Sequence, residues 1–133
     1  MMTNSPTSTF ATKETAQQRP LSGKEDALVR LGGDEELYQN LLAMLSVKLP
    51  NWETELLDLT TYGDHTKLAS LTHTIKSESA SVGAEALSLQ AKKAEQLFRK
   101  SNNGHTPESA TKALEPLLSE LRLLIEHLTP GTA

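Results

Sequence analysis

Residues 34–59 read DEELYQNLLAMLSVKLPNWETELLDL, and their spacing decides the fold class. Leu37, Leu41, Met44, Leu45, Leu49, Trp52, Leu56 and Leu59 recur mainly at steps of three and four, the period of one buried helix face. Asp34 stands where an N-cap belongs, and Glu35 and Glu36 suit the positive end of a helix. Pro50 lies inside the run. Proline removes one backbone hydrogen bond and crowds the preceding turn. The apolar face continues in phase beyond it, so the prediction is one kinked helix, not two.

The same reading extends in both directions. Tyr62-Gly63-Asp64 is a break, with Asp64 as the next N-cap. A third helix then runs to about Val82, burying Leu68, Leu71, Thr72, Ile75, Ser79 and Val82. Gly83 interrupts it. A fourth helix over about 84–101 carries Ala84, Leu87, Ala91, Ala94, Leu97 and Phe98, and Asn102-Asn103-Gly104 ends it. Thr106-Pro107 opens the last helix as N-cap and N1 proline. Leu114, Leu117, Leu118, Leu121, Leu124, Ile125 and Leu128 form its core face, with Pro116 inside. Upstream, Ser22 and Glu25 have the form of a capping box. Ala27, Leu28 and Leu31 follow, and Gly32-Gly33 stops that short helix. Residues 1–20 are rich in Ser, Thr, Asn, Gln and Pro and read as a tail or linker. The expectation is an all-α domain over 21–129, an antiparallel four-helix bundle preceded by a short N-terminal helix.

Composition agrees and excludes alternatives. The 133 residues include 23 Leu against 3 Val and 2 Ile, so a sheet-built core is not expected. With no cysteine, disulfide scaffolds, thiolate metal sites and cysteine nucleophiles are excluded. A net charge of -4 argues against a nucleic-acid partner. No apolar run approaches the roughly 18 residues of a membrane span. No signal-peptide pattern opens the chain. The expectation is a monomeric, cytoplasmic domain, or the cytoplasmic part of a larger protein, that makes no membrane contact of its own.

One segment carries chemistry. On the third helix His73 lies about 155° from the centre of the apolar face, which points it into solvent. Its helical neighbours Ala69, Ser70, Ser77 and Ala80 are all short, a low strip on which another protein surface can approach the imidazole. Lys76, at i+3, offers a cation to an anion held at the ring. On the fourth helix Ser88, Lys92, Glu95 and Arg99 form a polar stripe. If the two helices pack antiparallel, Glu95 returns to the level of His73. There it can bind one ring nitrogen and leave the other as nucleophile. Arg99 can then help hold phosphoryl oxygens.

The plainer reading is a surface histidine and a surface ion pair, since H-x-x-K is common by chance. The order of several features weighs against it. His73-Thr74-Ile75-Lys76-Ser77, then Ser79-Ala80-Ser81-Val82-Gly83-Ala84 and Leu87, resembles the signature of the histidine-containing phosphotransfer (Hpt) domain of multistep two-component phosphorelays. That signature has the form H-x-x-K-G, then small residues, a second Gly and a Leu. Ala27-Leu28-Val29-Arg30-Leu31-Gly32-Gly33-Asp34, with Leu37-Tyr38 and Leu41-Leu42, looks like the opening of such domains. The resemblance covers about residues 22–128.

The resemblance implies that His73 is the phosphoacceptor, Lys76 and Arg99 stabilise the phosphoryl group, and Glu95 orients the histidine. It implies receiver domains as partners, no cofactor, and carriage of phosphoryl groups with kinase activity lying elsewhere. The domain would be free-standing or part of a hybrid sensor histidine kinase. Ser77 stands where the family has Gly, and Glu78 where small residues are usual. The rival functions are a bundle that docks a receiver or a helix without phosphotransfer, and a metal-bundle enzyme. The second needs Glu-x-x-His pairs, and none occurs.

Overall fold

The computed structural model describes residues 19–100 and 108–129. Among them are α-helices and no strand. After a 3-10 turn at Arg19–Leu21 come α1 (Lys24–Arg30), α2 (Glu35–Tyr62), α3 (His65–Ser81), α4 (Glu85–Lys100) and α5 (Glu108–Leu128). Residues 1–18 of the expected tail, the stop at Asn102–Gly104 and the Thr106-Pro107 cap lie outside the described residues. The chain is a helical bundle. Helix α4 packs against α3 and α5, and α2 touches both α3 and α5; their buried side chains share one core with Ala27 of α1.

That core is built as the leucine pattern requires. Leu45, Leu49, Leu56, Leu68, Ile75, Ala91, Ala94, Phe98, Leu117, Leu121 and Leu124 are all buried. Each large apolar side chain contributes about 1.5–3 kcal/mol by leaving water. Both aspartate caps form: Asp34 accepts from the Leu37 N–H at 3.0 Å, and Asp64 from the Lys67 N–H at 3.1 Å. Helix α2 runs unbroken through Pro50.

Two expectations fail near the N-terminus. The α2 face begins on Tyr38 and Leu42, while Leu37 and Met44 are exposed. The cause is Tyr38, whose ring is fully buried and whose hydroxyl donates to the Val82 carbonyl at 2.6 Å. Burial, and secondarily Glu35, pushes this phenol up to about 12. The Ser22 capping box also does not form. Gly23 is the N-cap of α1 with no side-chain cap, and Ser22 Oγ instead donates to Glu85 Oε1 at 3.3 Å.

Gly83 explains why α1 lies where it does. Its φ of 81° is left-handed, a conformation that suits glycine. Its carbonyl accepts from the Gly23 N–H at 2.8 Å. A Cβ on Gly83 would collide with the backbone of Gly23 and Lys24. The α3–α4 turn and the start of α1 are thus in direct backbone contact.

Candidate functional site

Helix α3 presents His73, and α4 supplies what holds it. His73 Nδ1 lies 3.1 Å from Glu95 Oε2. The imidazole is therefore not aimed straight at solvent as the helical wheel predicts; it leans on α4 with its side chain 53% exposed. The Glu95 side chain is only 8% exposed. Its Oε1 is 3.0 Å from Lys76 Nζ. Its Oε2 accepts from Arg99 Nε at 2.8 Å and lies 2.7 Å from the second guanidinium nitrogen. One buried carboxylate thus gathers the imidazole, the ammonium and the guanidinium.

The electrostatics follow. Burial pushes the Glu95 carboxyl up, but the hydrogen bonds from Lys76, Arg99 and His73 outweigh it and hold the group below the usual carboxylate range. A carboxylate only accepts, so the bond to His73 assigns the proton to Nδ1. In the neutral ring with that tautomer, Nε2 carries the lone pair, the form a nucleophilic imidazole needs.

The structure brings His73, Lys76, Glu95 and Arg99 together. Lys76, which the sequence offers as a cation near the imidazole, is also paired with Glu95. Of the expected strip, Ser70, Ser77 and Ala80 are exposed. Ala69 is not: it is 5% exposed and belongs to the core. Its wheel position turns it toward α4, so the approach strip consists of the other three. Glu78 points away from His73 and pairs with Lys48 at 2.8 Å. Ser88, part of the polar stripe but given no role from sequence, donates to the Lys76 carbonyl at 2.9 Å. Its spacing from Lys92 and Glu95 placed it on the right flank; only the interhelix register reveals its acceptor. Among the described residues no group of three or more metal-ligating side chains occurs, and no helix is long and apolar enough to cross a membrane.

A family model of the Hpt domain matches residues 36–129. The chain belongs to the Hpt domain family. No curated protein and no solved structure matches it. Hpt domains are phosphocarrier modules of two-component phosphorelays, and they interact with receiver domains. The matched span contains all of α3 and α4, and with them His73, Lys76, Glu95 and Arg99.

Proposed function

We propose that this Hpt domain carries a phosphoryl group on His73, between the phosphoaspartate of one receiver domain and the aspartate of another. The observation that carries this reading is the His73–Glu95 bond, which leaves Nε2 as the free nucleophile on a half-exposed ring. In the forward step the Nε2 lone pair attacks phosphorus, an N–P bond forms, and the acyl P–O bond breaks. The aspartate departs as carboxylate with the electron pair. The ring becomes a phosphoimidazolium that keeps its Nδ1 proton, and Glu95 stabilises that positive charge. Lys76 and Arg99 sit beside Glu95 and supply cations to the phosphoryl oxygens. The second transfer reverses these bonds on the next receiver.

We also read α2–α5 as an antiparallel four-helix bundle. Support comes from pairings in opposite order along α3 and α4: His73 with Glu95, and Lys76 with Ser88. The domain is taken as monomeric and cytoplasmic over 21–129, joined through residues 1–20 to other domains or free-standing. The test is acid-labile label transferred from a phosphorylated receiver. Wild type should take it up and His73→Gln should not. Label on His73→Gln at the wild-type level would end the reading, and receiver binding without label would favour a docking-only bundle.

A further inference from the structure

Helix α2 carries a second ordered face besides the one that fills the core. Tyr38, Leu42, Leu45, Leu49, Trp52 and Leu56 turn inward. Leu37, Asn40, Met44, Val47, Asn51 and Thr54 follow another line at steps of three and four. At 100° per residue that line lies about 150° from the inward face. All six residues are exposed, Met44 at 59% and Val47 at 70%. None is charged, and between Glu36 and Glu53 the only charged residue is Lys48. Lys48 is tied to Glu78 on α3 at 2.8 Å. Charged side chains make up 23% of the chain, so an uncharged, partly apolar helix face about 25 Å long marks a place of contact.

The line has nearly the same chemistry read in either direction. Met44 and Val47 form its centre, Asn40 and Asn51 flank them, and Leu37 and Thr54 end it. Laid antiparallel on itself about a two-fold axis between Met44 and Val47, it sets Met44 on Val47 of the second copy. Asn40 then meets Asn51 of the second copy. An isologous contact demands this reciprocity, since each pairing must also occur in reverse. Apolar groups meet at the centre, and amides meet on either side, where polar residues in a helix seam fix its register. Glu36 and Glu55 are the like charges brought together, at the rim, where salt screens them.

We propose that the outer face of α2 is a self-association surface, on which the α2 of a second copy of this chain packs antiparallel. One helix crossing buries less than the ~1,200 Å² of a stable interface. The pairing is therefore weak, with half-association on the order of 100 μM. The dilute domain stays a monomer, and pairs form as its concentration rises or where a larger assembly holds two copies side by side. His73 leans on α4, whereas Lys48 of α2 meets α3 at Glu78, about 140° round that helix from His73. Pairing through α2 leaves His73 uncovered. The inference does not rest on the phosphotransfer reading.

Sedimentation equilibrium of the full chain from about 10 μM to about 1 mM tests it. The weight-average mass should climb from 14.5 kDa towards twice that value. Met44→Glu and Val47→Glu place carboxylates at the centre of the contact and should weaken association by about tenfold or more, with helical circular dichroism retained. Leu89→Glu, at an apolar side chain of α4 that is 48% exposed, controls for exposed apolar surface elsewhere and should associate as wild type does. The chain has no cysteine, so introduced ones report the alignment. Asn40→Cys and Asn51→Cys chains, mixed and oxidised, should link to each other. Neither should link to itself, because equivalent positions lie about 16 Å apart along the helix axis. A single-chain mass over the whole range overturns the proposal. So does association that survives both glutamate variants of α2, or that Leu89→Glu weakens equally. Self-linking of either cysteine variant in preference to the mixture overturns the antiparallel packing.

Discussion

Gly23 and Gly83 meet backbone to backbone, the amide of one donating to the carbonyl of the other at 2.8 Å across 60 positions of sequence. Neither residue has room for a side chain. A Cβ on Gly83 meets backbone that cannot yield, and one on Gly23 meets the Glu85 carboxylate, the far end of a flexible side chain. Gly83→Ala combines a left-handed φ with this overlap and should cost about 2–4 kcal/mol. Gly23→Ala should cost less. Urea midpoints of both variants check the ranking, and a Gly83→Ala midpoint equal to wild type contradicts the contact.

Tyr38→Phe keeps the buried ring and removes the donor to the Val82 carbonyl. Leaving that carbonyl unpaired should cost about 1–3 kcal/mol. The alkaline limb carries the sign. The folded phenol ionises only near 12, above its unfolded value near 10, so the unfolded chain loses its proton first. Stability therefore falls as pH rises from about 10 towards 12. That part of the decline should be absent in Tyr38→Phe, measured by urea unfolding at pH 8 to 11.5.

How much of this was readable beforehand depends on how far apart the partners lie in sequence. The Asp34 and Asp64 caps act on residues three positions away, so local spacing gave them correctly. Glu95 and Arg99 are one helical turn apart, and the His73–Glu95 meeting followed once α4 was folded back along α3. The misreadings involve distant partners. Tyr38 was not counted as an inward residue because its hydroxyl finds Val82 at the far end of another helix. Ser22 was given to a local cap when Glu85 was its acceptor. Ala69 was placed on the surface strip because a wheel centred on α3 alone does not include the neighbour that covers it.

Glu95→Gln tests the carboxylate's charge while keeping its shape. The Glu95 carboxyl is held below its usual range, so the folded state binds that proton less readily than the unfolded chain. The stabilisation is present above the unfolded value and is lost as pH falls through the folded one. Wild type should exceed Glu95→Gln by about 1–3 kcal/mol at pH 7, and the gap should close below about pH 4. Urea unfolding of both proteins from pH 7 to 3 measures it. A gap independent of pH contradicts the role given to His73, Lys76 and Arg99 as partners of a charge.

Lys76→Ala removes one cation and leaves the Arg99 and His73 bonds to Glu95. Phosphoryl uptake should slow by about tenfold or more, with a loss in urea midpoint no larger than that of Glu95→Gln. Rapid-quench transfer from a phosphorylated receiver reads it. Wild-type kinetics would remove Lys76 from the chemistry.

Lys76 is fastened to α4 at both ends: its carbonyl by Ser88, its ammonium by Glu95. Reactivity is thereby made a property of alignment between two helices. A slide of one residue along α4, ~1.5 Å, would unlatch both ends together and take Glu95 from His73 in the same movement. Buried Ala91 and Ala94 lie on that same helix between Ser88 and Glu95, so the packing of this stretch into the core is what a slide would have to disturb.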